Sequence, residues 1–300
     1  MEKIILGIDI GGTNTKYGFI TKKGEVLSSH IIPTNTKIPF EDYALGLKKD
    51  VLDHFYPHKS NYEIEAIGVG APNGNGKTGF IEYPPNLAWD LVDLKGIFSE
   101  VFGVTVEIEN DANVAAVGEK IFGQAKAYDN FVVLTLGTGL GVGTYINGEL
   151  YLGSHGLGSE AGHLTIIPEG RDCSCGGKGH LEAYASCTGM KKSVNEVLGT
   201  NYSFREVSKL FNAGNADVSK VLDESARHLA IGMGSINSLL APQSFILCGG
   251  GTSLGQNFRD LVEKHYKNYV YSPFKNYSKI ELSSVSTEYG AILGASSLVL

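Results

Sequence analysis

The chain lacks the marks of several large protein classes. It has no long apolar run: the first, residues 4–10, is interrupted by Asp9 and is far too short for a signal segment or a membrane-spanning helix. It has no basic excess, since 25 Lys and Arg stand against 32 Asp and Glu for a net charge of −7, so no concentrated positive face is available to a nucleic acid. Charged residues make up only 19% against 42% hydrophobic, a balance that excludes a disordered chain and fits a globular one. Cysteine is scarce as well, with four at positions 173, 175, 187 and 248, which sit most naturally in a reducing cytoplasm. At 300 residues the chain is long enough for two domains, each with its own core.

What is present is concentrated. Residues 158–182 hold two of the four cysteines, two histidines and two isolated carboxylates, Glu160 and Glu182. His163, Cys173, Cys175 and His180 are four soft or borderline donors, and a tetrahedral site filled by protein side chains is how structural Zn2+ is held. Gly176, Gly177 and Gly179 let the chain turn sharply enough for Cys175 and His180 to face one ion. The alternative is two free surface thiols, a histidine at a helix start and a core histidine. Cys and His clustering favours the metal.

Two hairpins are built alike. Residues 4–10 read as a buried strand that ends at Asp9 and Ile10, followed by Gly11, Gly12 and Thr13 and a return strand over 16–21. The glycines allow close backbone approach and Thr13 offers a hydroxyl, so phosphate and Mg2+ fit there; an ordinary hairpin with one exposed Asp fits the same residues. In mid-chain, the apolar run 131–136, the turn Gly137-Thr138-Gly139-Leu140-Gly141 and the strand 142–146 repeat the pattern. Each return strand ends in Gly-Glu (Gly24-Glu25, Gly148-Glu149), which points to an internal duplication. Two similar domains would each offer a glycine turn to one nucleotide. An acidic chain can bind that anion, because backbone amides and Mg2+ meet its phosphates.

Between the hairpins, residues 41–55 have helical spacing and 64–71 read as a strand. The segment from Ala71 to Thr78 matches a loose P-loop pattern, but extended, proline-stopped chain follows where a phosphate-facing helix is needed. Lys77 is therefore a turn residue. The strand 104–109 ends in Asn110 and Asp111 before a helix over 112–122. Both residues suit an N-cap, and a carboxylate at a strand end also suits a general base. Helices are expected over 181–198, 201–213, 217–240 and 288–300, and a strand over 244–248 that runs into Gly249, Gly250 and Gly251. Glu169, Arg171 and Asp172 read as solvated loop charges, and Cys248 as packed rather than reactive.

Taken together, these motifs resemble the ROK family of bacterial sugar kinases and sugar-responsive repressors. Glu160-Ala-Gly-His163 followed by Cys-x-Cys-Gly-x-x-Gly-x-x-Glu is similar to its signature, with His180 where many members have Cys. Asp9 to Lys16 resembles the phosphate element of actin-like sugar kinases. Glu109 to Asn113 resembles the family's Glu-Asn-Asp-Ala-Asn motif, Pro85-Asn86-Leu-Ala-Trp89 its sugar-lining segment, and Gly249 to Thr252 the adenosine loop.

The resemblance implies an α/β fold of two actin-like (ribonuclease H-like) domains with a cleft between them, residues 1–112 with 289–300 and residues 113–288. It implies an ATP-dependent kinase acting on the 6-hydroxyl of a hexose, glucose first, with ATP, Mg2+ and structural zinc. N-acetylmannosamine, N-acetylglucosamine, fructose and allose stay open as substrates, as does a sugar-sensing protein without kinase activity. Asp111 is then the base. Asn86, Asn110, Asp111, Glu160, His163 and Glu182 contact sugar, and Asp9, Gly11, Gly12, Thr13, Lys16, Thr138, Gly139, Gly250 and Gly251 contact the nucleotide. By analogy the chain is a cytoplasmic homodimer. A DNA-binding repressor would need a helix-turn-helix ahead of the strand at Ile4, and a zinc hydrolase would need an open metal position.

Overall fold

The computed structural model describes residues 1–84 and 86–300; Pro85, part of the segment expected to line the sugar, lies outside the described residues. The chain forms two compact units. The first comprises Met1–Gly123, Leu152–Gly158 and Val285–Leu300, and the second Gln124–Tyr151 and Ser159–Ser284. Among the described residues no helix is long and apolar enough to cross a membrane.

The first unit runs β1 (Glu2–Ile10), β2 (Asn14–Thr21), β3 (Val26–Pro33), α1 (Phe40–Phe55), β4 (Tyr62–Ala71), the short β5 (Gly74–Asn75), β6 (Phe80–Glu82) and β7 (Leu91–Val92), α2 (Leu94–Phe102), β8 (Thr105–Asn110) and α3 (Asp111–Ile121). Its main sheet has the order β3-β2-β1-β4-β8, and β5, β6 and β7 form a small separate sheet. The hairpin β1–β2 is antiparallel with Asp9 opposite Lys16, whereas β1, β4 and β8 are parallel. Asp9 is level with Gly70 on β4, and Ala71 with Asn110 on β8, so these residues share the C-terminal end of the parallel strands. Ligands of α/β sheets gather at that end. One face buries Ile4, Leu6, Ile8, Ile67 and Val69 in a core with Leu47 and Val51 of α1 and Phe98 of α2.

The other face carries a row of glycines at its centre. Gly18, Gly7 and Gly68 are register partners across β2, β1 and β4. A Cβ on Gly7 would lie 2.1 Å from the Ile292 carbonyl oxygen, and one on Gly68 would lie 1.8 Å from that of Ala295. The closing helix Gly290–Ser296 therefore rests with its backbone against the sheet. It also crosses α3 where Gly118 meets Gly294, with 2.9 Å between a built Cβ and the facing Cα. This helix was expected from its composition; the strand β3 and the helix α2 were not.

The second unit runs β9 (Phe131–Leu136), β10 (Leu140–Ile146), β11 (Glu149–Leu150), α4 (Glu182–Ala185), α5 (Cys187–Leu198), α6 (Phe204–Asn212), α7 (Ala216–Leu240), β12 (Ser244–Cys248), α8 (Gly255–Tyr269) and β13 (Lys279–Leu282). The sheet order β11-β10-β9-β12-β13 repeats that of the first unit, an antiparallel hairpin beside parallel strands. The duplication expected from the two hairpins is thus present in the topology. The helix expected over 181–198 is interrupted at Ser186, which adopts extended geometry and caps α5 by accepting from the Gly189 amide at 3.0 Å.

Substituting Gly68→Ala forces a methyl into the Ala295 carbonyl and should destabilise the chain by roughly 2 kcal/mol or more. Gly46→Ala, on the exposed side of α1 with nothing within 4 Å, should instead stabilise it by about 0.5–1 kcal/mol. Denaturant midpoints of the two variants check both signs.

Candidate functional site

Asp9, next to last in β1, is partly buried opposite Lys16, and its carboxyl is pushed up to about 6, first by burial and then by the charge of Asp111, with Lys16 opposing. The Lys16 amine donates to the Glu288 carbonyl and lies 5.1 Å from the centre of the Tyr289 ring, so in this structure it is engaged with the chain just before the closing helix. The turn itself is closed by the Gly11 amide donating to the Asn14 carbonyl at 3.0 Å. Among the described residues the amides of Gly12 and Thr13 donate to no protein acceptor. Gly12 packs against Asn86, where a Cβ would lie 2.9 Å from the Asn86 carbonyl oxygen. Asn86 is thereby brought beside the turn, whereas Trp89 is core: its Nε1 donates to the Ile38 carbonyl at 3.0 Å and its ring packs on Phe40 and Tyr43.

At the end of β8, Asn110 is the N-cap of α3, with its side-chain oxygen accepting from the Ala112 amide at 2.9 Å. Asp111 is the first helical residue, open to solvent, and its Oδ1 accepts from the same amide at 2.8 Å. Surrounding protein mass disfavours its charged form and raises its carboxyl pKa, while that amide bond pulls the other way. Asp9 and Asp111 thus share one electrostatic neighbourhood at the end of the parallel strands.

Glu109 is a residue whose role the sequence did not reveal. Only 2% exposed, it accepts from the Asn110 amide at 2.9 Å and from Asn113 Nδ2 at 3.0 Å, and a Cβ on Gly76 would meet its Oε2 at 2.4 Å. It braces the strand end that presents Asn110 and Asp111, and burial raises its carboxyl pKa. In Val-Glu-Ile-Glu over 106–109 it falls on the same polar phase as Glu107, so the alternation gave no signal that it is buried.

In the second unit the turn of residues 137–141 is closed by the Gly137 amide on the Gly139 carbonyl at 3.0 Å. The amides of Thr138 and Gly139 donate to no protein acceptor among the described residues, as in the first turn. Consecutive uncommitted amides in a glycine turn form an anion-binding concavity. Gly249, at φ 82°, swings the chain after β12 so that Gly251 packs on Leu136, where a Cβ would lie 2.5 Å from its Cβ. Gly250 and Gly251 therefore lie beside the turn that carries Thr138 and Gly139.

The cysteine loop is a small hairpin, with the Cys173 amide on the Gly177 carbonyl at 2.8 Å and Gly176 and Gly179 at φ 90° and 70°. One ligating atom from each of His163, Cys173, Cys175 and His180 lies within 4.8 Å of the others. Ligands of tetrahedral zinc sit roughly 3.3–3.8 Å apart, so a small inward movement fits this donor set to the ion. His163 faces Cys173 through Nδ1 at 3.7 Å and Glu160 through Nε2 at 3.8 Å, and Cys175 lies 3.2 Å from His180 Nδ1. Glu182 lies beside the loop and accepts from Ser174 Oγ at 2.8 Å.

Arg171, expected as a solvated charge, is instead the loop's anchor. Its guanidinium lies over the Tyr184 ring, donates to Ser193 Oγ at 2.9 Å and pairs with Glu196 at 2.6 Å. Tyr184 in turn accepts from the Arg171 amide at 2.6 Å. Lys77 donates to the carbonyls of Gly153 and Ser154, and the chain beyond it continues into β6 rather than a helix, so the P-loop pattern has no structural counterpart.

The raised pKa of Asp9 has a stability consequence. The unfolded state releases this proton first, so stability from this group is lost as pH rises from about 4 to about 6. Asp9→Asn should therefore stabilise the ligand-free protein at pH 7 by on the order of 1–3 kcal/mol. Thermal midpoints of the two proteins should converge as the pH is lowered toward 4.

The ROK family model matches residues 5–300. A glucokinase of Halalkalibacterium halodurans is 31% identical over 98% of this chain and 94% of its own length. A xylose repressor of Bacillus spizizenii is also 31% identical, over 98% of this chain and 76% of its own length. The crystal structure of a ROK family glucokinase from Streptomyces griseus, in complex with glucose and AMPPNP, superposes with a TM-score of 0.84 at 26% identity, covering 98% of each chain. The matched range takes in both sheets, both glycine turns and the Cys/His loop, and the chain belongs to the ROK family.

Proposed function

We propose that the chain is an ATP-dependent sugar kinase that phosphorylates the 6-hydroxyl of a hexose, glucose first. The observation that carries this reading is Asp111: a solvent-open carboxylate at a strand end, with raised proton affinity, in the field of a second carboxylate beside a turn with uncommitted amides. A base gains from proton affinity raised above that of an ordinary carboxylate and from reach to solvent-side substrate, and the protein mass around Asp111 supplies the first. In this reading Asp111 takes the proton of the 6-hydroxyl as it attacks the γ-phosphorus of ATP. The amides of Gly12 and Thr13, and those of Thr138 and Gly139, hold phosphate oxygens, with Gly11 shaping the first turn. Lys16 exchanges the Glu288 carbonyl for phosphate. Gly250 and Gly251 allow the nucleoside to approach the backbone. Mg2+ bound with ATP would neutralise phosphate charge, and Asp9 is the residue that would face it.

A hexose presents hydroxyls that both donate and accept. Asn86, Asn110, Glu160, His163 and Glu182 are the side chains proposed to satisfy them, a set that discriminates against analogues missing a hydroxyl. His163, Cys173, Cys175 and His180 would hold structural zinc, which fixes the loop and leaves no open position for Lewis-acid work. The Glu160 carboxylate facing His163 Nε2 would orient the ring for ligation through Nδ1. A relative named as a xylose repressor at the same identity as the glucokinase supports a second reading, a sugar sensor without phosphoryl transfer. N-acetylmannosamine, N-acetylglucosamine and fructose are the alternative kinase substrates.

A coupled ADP-release assay across hexoses and N-acetylhexosamines distinguishes these readings, with turnover expected on glucose; sugar binding without ADP release would establish the sensor. Asp111→Ala should lower kcat by roughly two to four powers of ten with sugar affinity changed much less. In the unsubstituted protein the acid limb of kcat/KM should lie above the ordinary aspartate value of 3.8, with activity lost as pH falls and the base is protonated. Cys175→Ser should lose bound zinc, read as metal per chain after purification.

A further inference from the structure

One carboxylate joins the metal loop to the glycine turn of the second unit. Glu182, the first residue of α4, uses Oε2 to accept from the Leu140 amide at 3.0 Å, at the end of the turn of residues 137–141. The contact is close-packed: a Cβ on Gly139 would stand 2.4 Å from that oxygen. Its Oε1 accepts from Ser174 Oγ at 2.8 Å and from Cys173 Sγ at 3.5 Å. Ser174 lies between Cys173 and Cys175, two of the four soft donors, so the position of the loop sets the position of the carboxylate. The rest of the turn is fixed independently, with the Gly141 amide on Thr135 Oγ1 at 3.1 Å and the Gly137 carbonyl accepting from the Cys187 amide at 2.9 Å. The peptide between Gly139 and Leu140 is held at both polar atoms, its carbonyl by the Gly137 amide within the turn and its amide by Glu182, which is the tie that reaches from this peptide to the metal loop.

We infer that Glu182 is a positioning residue through which metal occupancy of the cysteine loop controls the affinity of the 137–141 turn for the nucleotide. This rests on the reading of that turn as a phosphate site. With the loop braced by the ion, Ser174 holds Oε1, Oε2 holds the Leu140 amide, and the amides of Thr138 and Gly139 are preset for phosphate oxygens. With the loop slack, those amides must be ordered at the cost of binding energy. Such coupling is reciprocal, so nucleotide must tighten metal by the factor by which metal tightens nucleotide.

The test uses Ser174→Ala, which removes only the loop's hydroxyl from the carboxylate and leaves all four metal donors. ATP affinity is measured by calorimetry without sugar, on zinc-loaded and chelator-stripped protein. Stripping should weaken ATP binding roughly five-fold or more in the unsubstituted chain, and ATP should slow zinc release to a chelator. Zinc-loaded Ser174→Ala should keep one zinc per chain yet bind ATP several-fold more weakly in the absence of sugar, with KM for ATP raised. Ser174→Thr, which keeps the hydroxyl, should restore the affinity. If the stripped protein unfolds, the comparison of loaded Ala and Thr variants decides alone. Equal ATP affinity in loaded Ala, Thr and unsubstituted proteins overturns the coupling while leaving the kinase reading intact. Absence of ATP binding to the unsubstituted, loaded protein overturns both.

Discussion

Backbone-to-backbone contact between the first sheet and the closing helix is the constraint on which the first unit depends. It requires three glycines in register, Gly18, Gly7 and Gly68, and a helix that carries Gly294 where it crosses Gly118 of α3. Because that helix lies so close, the chain just ahead of it reaches the β1–β2 hairpin, and the Glu288 carbonyl becomes available to Lys16. The same contact holds α3 against the sheet and so fixes the helix whose first residue is Asp111. A stack of small residues buries little apolar area per side chain, yet it determines where three polar groups, Asp9, Lys16 and Asp111, end up relative to one another.

The second unit solves a different problem. Its cysteine loop has few apolar residues of its own and is held by polar ties instead: Arg171 over Tyr184 and paired with Glu196, and Glu182 shared between Ser174 and Leu140. Such ties are directional, so they specify orientation rather than supply bulk stability. Directional ties suit a segment in which His163 and Glu160 stand in a fixed relation, 3.8 Å apart.

Motifs were legible in the sequence because they depend on local chemistry. Glycine after an apolar strand, Asn-Asp before an alanine-rich helix and Cys-x-Cys with flanking histidines each state their backbone requirement within a few residues, and the structure brings together His163, Cys173, Cys175 and His180 as their clustering suggested. Elements that owe their existence to distant partners were not legible. β3 alternates weakly and is a strand because β2 offers it an edge, while β13 has four residues and exists by pairing with β12. The break at Ser186 follows from its side chain capping α5, which competes with the helix that the flanking residues favour. Arg171 and Glu109 were misread or passed over for the same reason: their partners, Tyr184 and Asn113 among them, are identified only by the fold.

The chain passes between its two units four times, after Gly123, Tyr151, Gly158 and Ser284. During synthesis the second unit has all its residues once position 284 has emerged, but the glycine row of the first sheet still faces water until residues 290–296 leave the ribosome. The half of the molecule that is made first is therefore the last that can close. A nascent chain halted before residues 290–296 carries the first sheet with its glycine row uncovered.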